Sequence, residues 1–234
     1  MRPKPNVKLR NLGLSAYDAT TRLQQELFQQ TIDRKIHNRR HPEAQQPTEH
    51  HLLFVEHPHV YTLGKSGDEQ NLLIDEKTRK EKEVVFHQTN RGGDITYHGP
   101  GQLVAYPILD LDCFFTDIHK YLRLLEECII RTLKDYTIVA SRSAGETGVW
   151  IDPDGANPRK ICALGIRTSR WVTMHGFALN VHPDLSYFDY IIPCGIRGKA
   201  VTSMQKELGK AVHIADVQKR IAHHFSQLFD VNLS

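Results

Sequence analysis

The sequence predicts an α+β fold, a mixed β-sheet domain flanked by helices. Three observations predict it. Strand-like apolar runs come in groups instead of alternating one by one with helices. Two stretches, about residues 117–136 and 214–229, carry apolar residues three and four apart, as amphipathic helices do. No repeat, low-complexity tract or long linker divides the 234 residues, so a single domain, 1–234, is expected.

The elements follow in order. A first helix is expected over about 16–36, with Ser15 as a cap and Leu23, Leu27 and Ile32 on one stripe. Residues 38–46, with Arg39, Arg40 and Pro42, read as an exposed basic loop. Strands are expected at 51–56 and, after the His57-Pro58-His59 turn, at 60–64. The charge run 77–83 reads as a solvated face, and 83–88 as a strand. In the helix over 117–136, Leu122, Leu125, Ile129 and Leu133 face inward, and Lys134 suits the C-terminal dipole. Short strands follow at 137–140, 148–152, 160–168 and 171–181, with a turn at 154–158. The closing helix over 214–229 turns Val217, Ile221, Phe225 and Leu228 inward. The first 14 residues carry no functional signal.

Composition narrows the class. Hydrophobic residues at 40% and charged residues at 24% are ordinary for a soluble protein. A net charge of +3 is too small to argue for nucleic acid. No apolar run approaches the roughly 18 residues a membrane span needs. Met-Arg-Pro-Lys-Pro has no apolar core behind its charges, so a secretory signal is not expected and the location is expected to be cytoplasmic. Four cysteines, at 113, 128, 162 and 194, form no Cys-x-x-Cys pair and are expected as free thiols. Cys113, Cys128 and Cys162 sit among apolar residues and read as small core groups. Cys194 differs, lying between Pro193 and Gly195 at the end of a strand-like run.

The chain is organised around the stretch from Arg91 to Asp110. Four glycines, an arginine, a histidine and a proline crowd its first part, and an apolar strand follows. Glycine lets backbone come close to a ligand, and Pro100 sets a sharp turn. The pattern is strand, turn, strand, either a pocket wall or a glycine-rich hairpin that binds nothing. It is neither a dinucleotide fingerprint nor a P-loop. Two groups could activate a thiol. Lys160 opens an apolar strand, where an ammonium needs a counter-charge such as a thiolate, or it is a solvated strand end. His98 is either a base for the thiol or a residue that shapes the pocket, and the second role is favoured. His175 reads as structural. His50, His51, His57 and His59 have no carboxylate or cysteine at ligand spacing, so no metal is expected, and His223 and His224 read as a solvated helix face.

The string Arg-Gly-Gly-Asp-Ile-Thr-Tyr-His-Gly-Pro-Gly-Gln closely resembles the signature of the lipoyl(octanoyl) transferases, which share the biotin/lipoate protein ligase fold. The resemblance resumes at Lys160-Ile-Cys-Ala-Leu-Gly-Ile-Arg, at Trp171-Val-Thr-Met-His-Gly-Phe-Ala-Leu-Asn-Val and at Ile192-Pro-Cys-Gly-Ile, covering roughly residues 50–205. It implies a catalytic core over about 45–215, with a helix before and a helix after it. It implies Cys194 as nucleophile and Lys160 as its partner. Substrate-binding residues would be Arg91, Gly92, Gly93, Asp94, Ile95, Thr96, Tyr97 and His98, then Ala163, Leu164 and Gly165, then Gly176, Phe177 and Ala178. Backbone N–H groups near 163–165 and Gly195 are candidate oxyanion donors, and the glycines leave room for an acyl chain.

The implied reaction carries an octanoyl or lipoyl group from acyl carrier protein to a lysine of an apo lipoyl domain through a cysteine thioester. The implied partners are octanoylated acyl carrier protein and lipoyl-domain proteins, namely 2-oxoacid dehydrogenase acyltransferase subunits and the glycine cleavage carrier protein. No cofactor, nucleic acid or membrane is expected, and the chain is expected to be a monomer. Alternatives are an ATP-dependent lipoate or biotin ligase of the same fold, a lipoyl amidotransferase, and a non-catalytic acyl-binding module.

Overall fold

Along the central strands, apolar residues alternate between two faces, and that alternation builds the layers. The computed structural model describes residues 3–192 and 200–234. In order come β1 (Asn6–Leu14), α1 (Tyr17–Arg40), β2 (His50–Glu56), β3 (Val60–Leu63), α2 (Glu76–Glu81), β4 (Val85–Gln88), β5 (Ile95–His98) and β6 (Gln102–Ile108). Then follow α3 (Ile118–Asp135), β7 (Ser141–Ser143), β8 (Glu146–Ile151), β9 (Arg159–Ser169), β10 (Val172–Asn180), β11 (Ala200–Val201), α4 (Met204–Leu208), α5 (Ile214–Phe229) and β12 (Asn232–Leu233).

The main sheet has the order β12-β1-β2-β6-β10-β9-β8-β7, with β11 added to β9, and a second sheet has the order β4-β3-β5. The main sheet is mixed: β1 runs parallel to β2 and β12, and β11 parallel to β9, while the strands from β2 across to β7 pair antiparallel. Leu52 and Phe54 of β2, Leu103 and Ala105 of β6, and Phe177 and Leu179 of β10 pack with α3 and α5 in one apolar cluster. Their neighbours Leu53, Val55, Val104, Tyr106 and Ala178 pack on the other face with Leu27, Phe28 and Ile32 of α1. This is the strand period of two read directly as two cores.

Several elements depart from the sequence expectations. β1 was not anticipated; it is rich in charged and polar residues, and of its nine only Val7 is buried, so pairing and not periodicity reveals it. Helix α1 begins at Tyr17 without a side-chain cap, because Ser15 Oγ instead accepts from Thr20 Oγ1 at 3.1 Å. It continues through Arg40, so the start of the expected basic loop is helical. The run 77–83 largely forms α2, with Asp75 accepting from Thr78 N at 2.7 Å. Glu83 at φ 52° then delays β4 to Val85. No strand forms at 137–140, where Thr137 at φ 63° closes a turn after α3. α3 itself starts as expected, with Asp117 accepting from Lys120 N at 2.9 Å. Leu122 and Leu228 are half-buried rather than core, and Phe229 takes the last inward position of α5. His224 is no solvated residue, since its Nε2 meets Asp135 Oδ2 at 2.8 Å.

Candidate active site

The two sheets and their connecting loops enclose a cavity of about 400 Å³, within the roughly 300–1,000 Å³ of small-ligand sites. Arg91, Gly92, Gly93, Asp94, Ile95, Thr96, His98, Lys160, Ala163, Leu164, Gly165, Gly176, Phe177 and Ala178 all line it. Three segments, 91–98, 160–165 and 176–178, thus converge on one space. Tyr97 is the exception: it is fully buried in the small-sheet core, stacked on His59 and Tyr187. Phe177 borders the cavity, but its ring packs into the cluster beneath α3 and α5. Cys194 and Gly195 lie outside the described residues. The described chain stops at Ile192, whose N–H donates to the Asn71 carbonyl at 2.9 Å. It resumes at Ala200, which pairs with Arg159 on the strand that carries Lys160.

Two of the lining glycines, Gly165 and Gly176, allow close backbone approach. A Cβ on Gly165 would stand 2.8 Å from the Gly92 carbonyl oxygen and 3.2 Å from Arg91 Cδ. Its absence lets the Arg91–Gly92 loop lie on the sheet, where Gly92 N donates to the Ile166 carbonyl at 2.8 Å. A Cβ on Gly176 would stand 2.1 Å from the Ala105 carbonyl oxygen, so that glycine serves the β10–β6 pairing. Small side chains at the paired positions Ala163 and Ala178 are the ones that keep the wall low.

The wall from Arg91 to His98 is held from within. Arg91 is buried and gives Nη2 to the Thr62 carbonyl at 2.6 Å and to Thr62 Oγ1 at 2.9 Å, with Nη1 on its neighbour's carbonyl, Gly92, at 3.0 Å. Asp94 accepts from Ile95 N at 2.7 Å and from Asn71 Nδ2 at 2.7 Å. Since Asn71 also holds Ile192, Asp94 connects the wall to the point where the chain enters the segment bearing Cys194.

Lys160 faces its cross-strand neighbour Trp150, with Nζ 4.6 Å from the ring centroid, a cation–π geometry. Gly148, at φ +134°, makes room for it, because a Cβ there would stand 3.2 Å from Lys160 Cε. Gly148 N donates to Glu126 Oε1 at 3.1 Å, and that buried carboxylate is paired with Arg123 and Arg142, both at 3.0 Å. A charged network behind the sheet therefore fixes the backbone beside the lysine.

Three histidines near the cavity stay neutral. Burial pushes His98 down to about 3, helped by the neighbouring His57. Burial and then Arg91 push His175 to about 3, and burial takes His57 to about 4. His175 sits mid-strand at φ 61°, a left-handed conformation held by Gln24 Oε1 on its N–H at 3.1 Å and by Asn90 Oδ1 at its Nε2 at 2.9 Å.

Among the described cysteines none is activated: burial raises the thiol pKa of Cys128 and Cys162, and partial burial raises that of Cys113. Cys128 and Cys162 are core groups as expected, whereas Cys113 is exposed, its Sγ 3.6 Å from Thr48 Oγ1. Among the described residues no group of three or more His, Cys, Asp or Glu is arranged to hold a metal. Sequence reasoning missed Tyr17, Gln102, Tyr106, Glu146 and Asn180 as lining residues. The Gly-Val-Trp run before Lys160 was a readable trace of the lysine's seat, whereas Tyr17 comes from the far end of the sequence and gave no signal.

Residues 25–226 match the family model of the lipoyl protein ligase A/B catalytic domain. An octanoyltransferase of Christiangramia forsetii is 61% identical over 97% of both chains. An octanoyltransferase of Flavobacterium psychrophilum is 62% identical over 96% of this chain and 97% of the relative. The fold is also that of the bipartite lipoate protein ligase of Thermoplasma acidophilum, with a TM-score of 0.71 at 18% identity, covering 98% of this chain and 86% of that one. With three separate motifs converging on one cavity and near-full-length identity above half, this chain belongs to the lipoyl protein ligase A/B family and, within it, to the octanoyltransferases.

Proposed function

We propose that this enzyme moves an octanoyl group from acyl carrier protein to a lysine of an apo lipoyl domain, with Cys194 as nucleophile and Lys160 as proton carrier. The observation that carries the reading is the placement of Lys160. It lies on the cavity wall, on the strand to which the chain returns directly after the segment bearing Cys194. The Lys160 ammonium is suited to stabilising a thiolate. The Cys194 sulfur forms a bond to the octanoyl carbonyl carbon, and the bond from that carbon to the carrier's pantetheine sulfur breaks. The departing thiolate takes a proton from Lys160, leaving a neutral amine. The acceptor lysine, having released one proton to solvent, attacks the acyl-enzyme through its free amine. Lys160 takes the second proton, Cys194 leaves as thiolate, and an amide remains.

Substrate-binding roles go to the Arg91–His98 wall and to residues 163–165 and 176–178, with Tyr97 as core support. Backbone N–H groups near 163–165 and Gly195 serve as oxyanion donors in this scheme. The acceptors are lipoyl-domain proteins, with the 2-oxoacid dehydrogenase acyltransferase subunits and the glycine cleavage carrier as the specific ones, and the enzyme acts as a cytoplasmic monomer. No helix described is long and apolar enough to cross a membrane. The chain acts as one domain in this reading, with the catalytic core over about 45–215 and the helix before it contributing Tyr17 to the cavity lining.

The test is intact-protein mass spectrometry after mixing enzyme with octanoyl carrier protein and no ATP. A gain of one octanoyl group, lost in Cys194→Ala and kept in Cys162→Ala, is expected. Acylation that needs ATP points to the ligase reaction, and loss of acylation in folded Cys162→Ala points to the other thiol.

A further inference from the structure

A row of buried side chains runs from the cavity wall to β11, and the acyl-transfer chemistry leaves it unused. His98 Nδ1 lies 2.7 Å from Gln102 Oε1. Gln102 Nε2 donates to the Tyr97 carbonyl at 3.2 Å and to Asn180 Oδ1 at 2.8 Å. Asn180 Nδ2 donates to the Thr202 carbonyl at 3.0 Å, and Thr202 N donates to the Lys160 carbonyl at 3.0 Å. His98, Gln102, Asn180 and Thr202 are all buried.

The ends of this row dictate the direction of every bond in it. A backbone carbonyl only accepts, so the Asn180 atom facing Thr202 is its NH₂ group and the other is its oxygen. The Gln102 atom facing both that oxygen and the Tyr97 carbonyl is then its NH₂ group. Its remaining oxygen faces His98, so His98 Nδ1 carries the hydrogen. Burial keeps the ring neutral, which leaves Nε2 as a bare lone pair on a cavity-lining residue.

We infer that Gln102 and Asn180 are positioning residues that lock His98 as its Nδ1–H tautomer, so that the wall offers Nε2 as a hydrogen-bond acceptor to the N–H of an incoming amine. This rests on the proposed transfer to a lysine amine. Accepting one N–H bond orients the amine's lone pair toward the thioester, while Lys160 remains the group that takes the proton. A ring held in this form cannot also serve as an oxyanion donor through Nε2. The arrangement therefore acts on the second half-reaction, aminolysis of the acyl-enzyme, and not on its formation.

The test uses the full-length enzyme labelled with ¹⁵N-histidine, whose two-bond proton–nitrogen correlations report the tautomer. The wild-type His98 is expected as Nδ1–H at neutral pH. Gln102→Met removes the acceptor oxygen and is expected to lose that form, whereas Gln102→Glu keeps an oxygen facing Nδ1 and is expected to retain it. In single-turnover kinetics, Gln102→Met is expected to form acyl-enzyme within about twofold of wild type. Its transfer to a lipoyl domain should be slower by about tenfold or more, largely recovered in Gln102→Glu. A wild-type His98 protonated at Nε2 overturns the inference, and so does a Gln102→Met enzyme in which both half-reactions slow equally or neither slows. Should Gln102→Met fail to fold, the wild-type tautomer and the half-reactions of Gln102→Glu decide alone: Nε2–H, or transfer as slow as about tenfold below wild type with Nδ1–H retained, overturns it. If wild-type enzyme forms no acyl-enzyme, the transfer reading fails, while the tautomer measurement still decides whether the relay exists.

Discussion

Lys160 and His98 stand on the same cavity, yet their surroundings assign them opposite roles. His98 is buried among rings, with Nδ1 committed to Gln102, and burial holds it neutral. Lys160 lies over an indole face in cation–π geometry and stands on the strand next to which the chain returns after the segment bearing Cys194. Lys160→Met is therefore expected to raise the pH at which Cys194 is alkylated by iodoacetamide, and to lower turnover by about a hundredfold or more. Lys160→Arg keeps a cation that does not release its proton near neutrality. It should alkylate readily yet turn over poorly. His98→Ala should leave the alkylation profile unchanged. An alkylation profile that moves in His98→Ala and stays put in Lys160→Met would make the dyad Cys–His.

At the scale of elements, close backbone approach shapes the site more than side-chain volume does. The loop bearing Arg91 and Gly92 reaches β9 only because Gly165 has no side chain. Gly165→Val is expected to push that loop off the sheet, raising KM for the acyl donor and costing about 1–3 kcal/mol in urea melts. Gly176→Ala, with a Cβ 2.1 Å from a carbonyl in the centre of the main sheet, should cost more stability than Gly165→Ala. A Gly165→Val enzyme with native KM would show that the wall does not depend on this contact. The strain at His175 has the same architectural origin, since Gln24 from α1 accepts the N–H that the irregular strand turns away from the ladder.

For the whole molecule, the buried histidines and the charge layout make two predictions. His57, His98 and His175 lie at about 4, 3 and 3, all below the free value of 6.5. The unfolded chain therefore binds more protons than the native one below pH 6.5. The stability tied to these rings is whole above that pH and is lost as pH falls toward the folded values, on the order of 2 kcal/mol each by pH 5. Guanidinium melts at pH 7.5, 6.5 and 5 should show a steep fall across the last step, and a flat profile contradicts it. Carrier docking through basic residues is expected to weaken with salt, because exposed charges are screened within about 10 Å at 0.1 M. Arg39 and Arg40 lie at the far end of α1 from the cavity-lining Tyr17, about 33 Å away at 1.5 Å per residue. Arg39→Gln with Arg40→Gln should thus leave the carrier KM unchanged. A carrier KM that is flat with salt removes the docking idea altogether.

The sequence by itself determined what local pattern encodes. The apolar strand runs of β2 and β6 and the 3–4 spacing of α3 and α5 were legible, because each depends on residues within a few positions of one another. The motif strings around Arg91, Lys160 and Gly176 likewise marked residues that the cavity does bring together, apart from Tyr97, which alternation turns into the small-sheet core. Tertiary structure decided the rest. The polar strand β1 exists because β2 and β12 pair with it, and no internal period announces it. The purpose of Gly165 and Gly176 appeared only when Gly92 and Ala105 were seen at their backbones. Tyr17, Glu126, Trp150 and the His98–Gln102–Asn180 row act through partners that the fold supplies, up to about 150 positions away in the case of Gln24 and His175. Propensity is a property of neighbours in sequence, whereas a hydrogen bond or a steric limit is a property of neighbours in space, and only folding converts one into the other.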